Sequence, residues 1–210
     1  QNGVIYQIYP KSFQDSTGTG TGDLNGIISR LDYLEKLGVS ALWLTPVYPS
    51  PQIDNGYDVA DYCAINPDYG TMADFERLVE QAHQRGMRIV MDMVFNHTST
   101  QHPWFVAAQD PANEKHHFYI WRDGKGDALP NNWRSKFGGD AWQWSESAGQ
   151  YYLHLFTPEQ ADLNWEHPPV REALKSVCHF WADKGVDGLR LDVINLVSKQ
   201  QDFPDDLQGD

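Results

Sequence analysis

Cysteine is scarce: Cys63 and Cys178 are the two in 210 residues, far apart and in apolar settings. That count argues against a disulfide scaffold and favours a reducing compartment, so a cytoplasmic location is expected. Positive charge is short as well, with 16 Lys and Arg against 29 Asp and Glu and a formal net charge of -13. A nucleic-acid surface would show a basic stripe, and this chain has none. No apolar run approaches the roughly 18 residues that a membrane span needs. The chain opens Gln1-Asn2-Gly3, without an initiator Met or the apolar stretch of a signal peptide, so either a leader was removed or the chain was cut. Histidines and cysteines lack the ligand spacing of a zinc site. The glycine-alternating stretch at 15–23 lacks the Gly-Lys-Ser/Thr ending of a phosphate-binding loop. What remains is 40% hydrophobic and 13% aromatic content, enough for a substantial core. Neutral ligands suit such a chain.

Strands alternate with amphipathic helices along most of the sequence. Residues 4–9 read as a strand, after which Leu24, Ile27, Ile28, Leu31 and Leu34 recur at helical spacing until Gly38. Residues 41–47 form a second strand pattern. Thr71-Met72-Ala73-Asp74 then opens a helix with a capping-box pattern, its Phe75, Leu78, Val79 and Ala82 facing inward, before a third strand at 88–95. A helix carrying Val170, Leu174, Val177 and Trp181 and closed by Gly185 leads to a fourth strand at 187–194. Strands and helices in this order predict a parallel sheet, hence an α/β domain built from residues 1–96 and 166–210. Residues 97–165 break the rhythm with Trp104, Trp121, Trp133, Trp142 and Trp144, followed closely by Trp165, and with no clean helical period. A gap of this length is an inserted domain with its own packing. Indole faces among Asn, Gln and Asp suit sugar rings, while the competing role for each Trp is to build the insert's core.

Two strand ends carry ionisable residues. In Gly188-Leu189-Arg190-Leu191-Asp192-Val193, the period of two places Arg190 and Asp192 on one side and the leucines on the other. Asp92-Met93-Val94-Phe95-Asn96-His97 ends the preceding strand. A carboxylate beside an arginine at a strand end is a catalytic arrangement; a structural ion pair is the alternative.

The segments 92–99 (DMVFNHTS), 160–165 (QADLNW), 188–195 (GLRLDVIN) and 55–59 (NGYDV) resemble the signature regions of the α-amylase family, glycoside hydrolase family 13. Within it, the stretches 7–13 and 132–139 are similar to the oligo-1,6-glucosidase branch. The resemblance implies an α/β fold, the first half of a (β/α)8 TIM barrel with a small loop-rich domain inserted after strand 3, and a retaining glycosidase. Such an enzyme needs one ionised carboxylate to attack the anomeric carbon and a second, protonated one to donate to the leaving oxygen. Asp192 corresponds to the nucleophile, and Arg190 supplies the positive field that keeps it ionised. The resemblance further implies that Asp58 and His97 bind hydroxyls of the cleaved sugar, that Tyr57 stacks on its ring, and that Phe156 walls the leaving sugar. For Asp58 the alternative is a loop-capping carboxylate, and for His97 a satisfied structural histidine. Asp92 is expected to support Arg190, and Asn96 to brace its loop. Relatives carry a calcium-binding acidic loop where this chain has residues 15–23, which makes Asp15 and Asp23 the candidate metal ligands. Thr17 and Thr19 take two ligand positions, so affinity should be poor, no cofactor is required, and Asp23 capping the next helix is the competing reading.

The chain departs from the family in ending just beyond the fourth of eight strands, with no residue matching the general-acid Glu or the third active-site Asp. A fragment packed on the remainder of its own barrel is expected, and hydrolysis by these 210 residues alone is not. Val193 after the nucleophile resembles the branch acting on α-1,6 and α,α-1,1 linkages, and Lys136 with Arg134 offers a positive patch for a phosphorylated sugar. The expected partner is thus a small carbohydrate, with trehalose 6-phosphate first and the substrates of an oligo-1,6-glucosidase or a sucrose-isomerising enzyme next. A reading of another class is an inactive relative serving as a binding or transporter-associated module. The intact Asp192, Arg190, His97 and Asp58 speak against it.

Overall fold

The computed structural model describes residues 3–207. The chain divides into two compact units, the first formed by Gln1–Ser50, Asp61–Met93 and Ser176–Asp192. Its centre is a four-stranded sheet of Ile5–Ile8, Ala41–Leu44, Arg88–Val94 and Gly188–Asp192, hydrogen-bonded in that order. The first strand lies parallel to the second with Ile8 opposite Leu44, and the second parallel to the third with Leu44 opposite Met91. The predicted parallel arrangement is therefore present in the first three strands. Its helical side is dry: Leu24, Ile27, Leu31, Leu34, Leu42, Phe75, Leu78 and Trp181 are all fully buried. Trp181 satisfies its one donor by bonding the Tyr62 carbonyl at 2.8 Å and packs edge-on against Tyr48 and Phe75.

Several boundaries differ from the sequence reading: the first strand is Ile5–Ile8 rather than 4–9, the second ends at Leu44 rather than 47, and two further differences have a visible cause. The apolar pattern over 24–34 predicts one helix, whereas Leu24–Ser29 and Leu31–Lys36 are separate, because Arg30 leaves helical geometry at φ -109°, ψ 4°. The first of these helices runs so close to the preceding chain that a Cβ on Gly26 would stand 1.8 Å from the Gln14 carbonyl oxygen, so only glycine fits. The fourth strand stops at Asp192 rather than 194: Val193 sits in the left-handed region at φ 38° and a 3-10 turn, Ile194–Leu196, follows. The Thr71 cap is as predicted, with the reciprocal Thr71–Asp74 bonds of a capping box opening Met72–Gln84.

The second unit comprises Pro51–Ala60, Val94–Lys175 and Val193–Asp210, so the segment 97–165 packs with stretches outside it. Within it the segment 97–165 holds more regular structure than its sequence suggests. His97–Ser99 pairs antiparallel with Gln160–Asp162, and Gln150–Leu153 lies between Trp121–Arg122 and Trp142–Ser145 in a second antiparallel sheet. The aromatics supply the packing. Trp121 stacks on His116 at 4.8 Å, Trp142 bonds Asn131 and joins the cluster of Ile120, Ala141, Leu153 and Phe203, and Trp133 and Trp165 bond the carbonyls of Pro204 and Phe95. Trp104 packs on Phe118. Of the six tryptophans named above, Trp144 alone is exposed, so the core role is the one the geometry supports for the others.

His102 opens the helix Pro103–Ala108 by accepting from the Trp104 amide at Nδ1. Burial pushes its imidazole down to about 4, so the folded chain holds it neutral while the unfolded chain protonates at the usual value near 6.5. The sign follows: this stability is complete above pH 6.5, declines as pH falls towards 4, and totals about 3 kcal/mol. In denaturant titrations of the full-length protein, its advantage over His102→Asn, which keeps a cap but cannot titrate, should shrink by about that amount between pH 7 and 4. Parallel pH curves for the two proteins would remove His102 as the source.

Candidate active site

At the carboxyl ends of the third and fourth parallel strands, Asp92, Arg190 and Asp192 form one ionic array. Strand alternation sets it up: Arg190 and Asp192 share a face, while Leu189 and Leu191 show on the other at 39% and 43% exposure. Arg190 Nη1 donates to both oxygens of Asp92, at 2.9 and 3.1 Å, and to Oδ1 of Asp192. Asp92 is fully buried and also accepts from Trp43 Nε1 at 3.0 Å, while the Trp43 ring lies 4.9 Å beneath the guanidinium carbon. Burial opposes the charge on Arg190, but the hydrogen bonds and charges of Asp92 and Asp192 outweigh it and raise its basicity. Below the array, the fully buried Tyr48 hydroxyl donates to the Asp92 carbonyl, and burial together with Asp92 pushes its pKa well above the ordinary phenol value, so it stays a neutral donor. The division of labour is clear in the exposures: the side chain of Asp92 has none, that of Asp192 keeps 12% and that of Arg190 36%. Asp92 anchors the cation, and Asp192 is the carboxylate that retains some exposed surface.

The second unit holds the residues expected to bind the sugar, Tyr57, Asp58, His97 and Phe156. Asn55 and Gly56 both take positive φ, 52° and 100°, and the Tyr57 amide closes back on the Asp54 carbonyl at 3.0 Å. This is the tight turn that an Asn-Gly pair favours. It brings Asp58 beneath its own loop, fully buried, where Oδ2 accepts from the Ile53 amide and Oδ1 from the Asp54 amide. The loop-capping alternative for Asp58 is thus a contact the structure contains. His97, 1% exposed, places Nε2 at 3.1 Å from the Tyr57 carbonyl and Nδ1 at 3.1 Å from Asn96 Nδ2, and its ring lies 5.1 Å from Phe156. Phe156 in turn meets the exposed Phe137 edge-on at 5.4 Å. Tyr57, Asp58, His97 and Phe156 therefore belong to one compact unit, tied together through the His97 to Tyr57 contact and the His97–Phe156 ring pair.

The sequence profile of the alpha-amylase catalytic domain matches residues 7–210. The chain belongs to the alpha-amylase family. Trehalose-6-phosphate hydrolase from Escherichia coli (strain K12) is 69% identical over 210 residues, covering 100% of this chain and 38% of that protein. An oligo-1,6-glucosidase from Parageobacillus thermoglucosidasius is 54% identical over 203 residues, 96% of this chain and 36% of its own. Among solved structures, the trehalose-6-phosphate hydrolase of Bacillus licheniformis superposes with a TM-score of 0.97 at 57% identity, over 99% of this chain and 38% of the other. The chain thus spans under two-fifths of the length of these relatives, and its four-stranded sheet corresponds to the N-terminal part of the family's (β/α)8 barrel.

For this alpha-amylase family chain the calcium expectation at Asp15 and Asp23 does not fit the loop. Asp15 accepts backbone N–H groups from Thr17, Gly18 and Gly20 at 2.7–2.9 Å, and these hold its carboxyl below the usual range. Asp23 caps the helix Leu24–Ser29 through the Gly26 amide and takes Ser16 N and Oγ as well. N–H groups converge where a cation would need oxygens, and Asp23 makes the helix cap that was its competing reading. Cys63 and Cys178 are free thiols, each made less acidic by burial. Two participants escape the sequence reading. Trp43 is an ordinary apolar strand residue by pattern, and Lys199 carries no signal because lysine is normally solvated. Yet Lys199 is 3% exposed at its side chain and ion-paired with the fully buried Asp162 at 2.9 Å.

Proposed function

We propose that the protein to which this chain belongs is a retaining α-glucosidase of the alpha-amylase family that hydrolyses trehalose 6-phosphate to glucose and glucose 6-phosphate. The observation carrying the chemistry is the array at the strand ends, in which Asp92 holds Arg190 and leaves Asp192 partly open. A carboxylate oxygen of Asp192 attacks the anomeric carbon, the bond to the leaving sugar breaks, and the leaving oxygen takes a proton from an acid not assigned to this chain. Water then cleaves the glycosyl ester. Asp58 and His97 bind hydroxyls of the sugar being cleaved, Tyr57 stacks on it and Phe156 bounds the leaving sugar. On this reading residues 1–96 and 166–210 are barrel, completed by the rest of the same protein, residues 97–165 are the domain inserted after strand 3, and the enzyme works in the cytoplasm on a small carbohydrate without nucleic acid or membrane.

Substrate choice rests on the 69% identity to a trehalose-6-phosphate hydrolase and on Lys136. Arg134 is engaged by Asp140 at 3.3 Å, both well exposed, which leaves Lys136 as the more available cation of the patch for a phosphate. The similarity to an oligo-1,6-glucosidase favours isomaltose as the second reading. Steady-state hydrolysis by the full-length protein decides between them: kcat/KM for trehalose 6-phosphate should exceed that for isomaltose by about tenfold or more, the worth of one charged contact to phosphate. A preference for isomaltose would overturn the first reading.

A further inference from the structure

We infer that Lys199 is a positioning residue: through the side-chain amide of Asn96 it fixes His97 as the neutral tautomer with its proton on Nε2. Lys199 Nζ, which can only donate, lies 2.7 Å from Asn96 Oδ1. Asp162 Oδ2, an acceptor when ionised beside the lysine, lies 3.2 Å from Asn96 Nδ2 and 2.9 Å from Nζ. Donor on one side and acceptor on the other leave the Asn96 amide one orientation, with its oxygen on the lysine. The same NH2 group then points its second hydrogen at His97 Nδ1, 3.1 Å away. Nδ1 must accept, so the ring proton sits on Nε2, where it meets the Tyr57 carbonyl at 3.1 Å, an atom that can only accept.

One neighbour disagrees. Gln160 Nε2 also lies 3.1 Å from His97 Nε2, and its orientation is set independently by the Thr157 amide on Oε1 and the Asp54 carboxylate on Nε2. Letting Gln160 donate to His97 would put two lone pairs, those of Nε2 and the Tyr57 carbonyl, against each other and require a donor at Nδ1 where Asn96 already donates. Of the contacts named here, the Nε2–H form leaves this one unbonded, while the Nδ1–H and doubly protonated forms each break two. Neutral His97 therefore keeps its Nε2–H on the Tyr57 carbonyl, and a ligand hydroxyl on that side meets a hydrogen it can only share, never a lone pair. The buried Lys199–Asp162 pair, costly by itself, gains a role in this orientation.

The structural part stands on contacts alone, while its consequence for catalysis rests on the glucosidase reading above. The test uses full-length protein labelled with 15N at histidine, with the His97 resonances identified by their loss in His97→Gln. The expected spectrum has a pyrrole-type Nε2 and a pyridine-type Nδ1. In Lys199→Met, made together with Asp162→Asn so that no carboxylate holds the amide, Asn96 is free to turn, the His97 signals should move towards the opposite tautomer, and KM should rise about tenfold for the loss of one oriented hydrogen bond. Asn96→Asp keeps a partner for Lys199 but replaces the donor by an acceptor, so His97 should carry its proton on Nδ1; this variant decides the matter if the double variant does not fold. A wild-type Nδ1–H or doubly protonated ring, or a tautomer unchanged in these variants, would overturn the inference. A tautomer that switches in a protein hydrolysing no α-glucoside would uphold the relay and end the glucosidase reading instead.

Discussion

Replacing Asp192 by Ala in the full-length protein is expected to lower kcat/KM for p-nitrophenyl α-glucoside on the order of 10^4-fold or more, the scale seen when a covalent nucleophile is removed. The loss should appear in kcat, because the carboxylate's bond to the anomeric carbon forms only along the reaction path. Folding should hardly change. Arg190 keeps both oxygens of Asp92 and the face of Trp43, so its charge is not stranded, and the side chain removed is the last of its strand and keeps some exposure. Melting temperature and near-ultraviolet circular dichroism therefore check that activity is lost from an intact protein. Equal rates for the variant and its parent would remove Asp192 as nucleophile and return the array to a structural ion pair.

Such a prediction is available early because strand periodicity is local. Alternation at 188–192 suffices to place Arg190 and Asp192 together, and the capping box at Thr71 is likewise written within four residues. Where the reading fails, the deciding contact lies elsewhere in the chain. Nothing in a valine announces the left-handed backbone at Val193 that ends the fourth strand, since β-branched residues avoid that region. Nor does the apolar pattern over 24–34 announce that Arg30 leaves helical geometry, or that Gln14, twelve residues before Gly26, approaches it closely. The sheet linking Trp121–Arg122 to Gln150–Leu153 joins strands separated by nearly thirty residues of irregular sequence, each too short to show a period. Lys199 illustrates the same limit at the site. Its partner Asp162 lies in a segment recognised as a signature, but which lysine meets it depends on a fold the signature does not describe.

Asp92 separates catalytic support from plain core stabilisation, and Asp92→Asn tests it with the same shape and one charge fewer. Asn can accept from Trp43 or from Arg190 through its single oxygen, but its NH2 group then faces the other donor. The fully buried position offers no water to relieve that conflict. Stability should fall by about 2–4 kcal/mol, somewhat under the usual loss for a broken buried pair because Arg190 keeps Asp192 and partial contact with solvent. With at most one oxygen left to it at position 92, Arg190 would bind Asp192 more closely, drawing down the charge that the nucleophile needs and loosening its aim. The expected result is a fall in kcat of about 10- to 100-fold, with KM changed much less. Thermal melts and steady-state kinetics on the same preparation read both quantities. A variant with lowered stability and unaltered kcat would mean that Asp92 serves the fold alone. A fall in kcat at temperatures far below the melt assigns it to the placement of Arg190, because at those temperatures the folded fraction, and hence the stability deficit, no longer limits the rate.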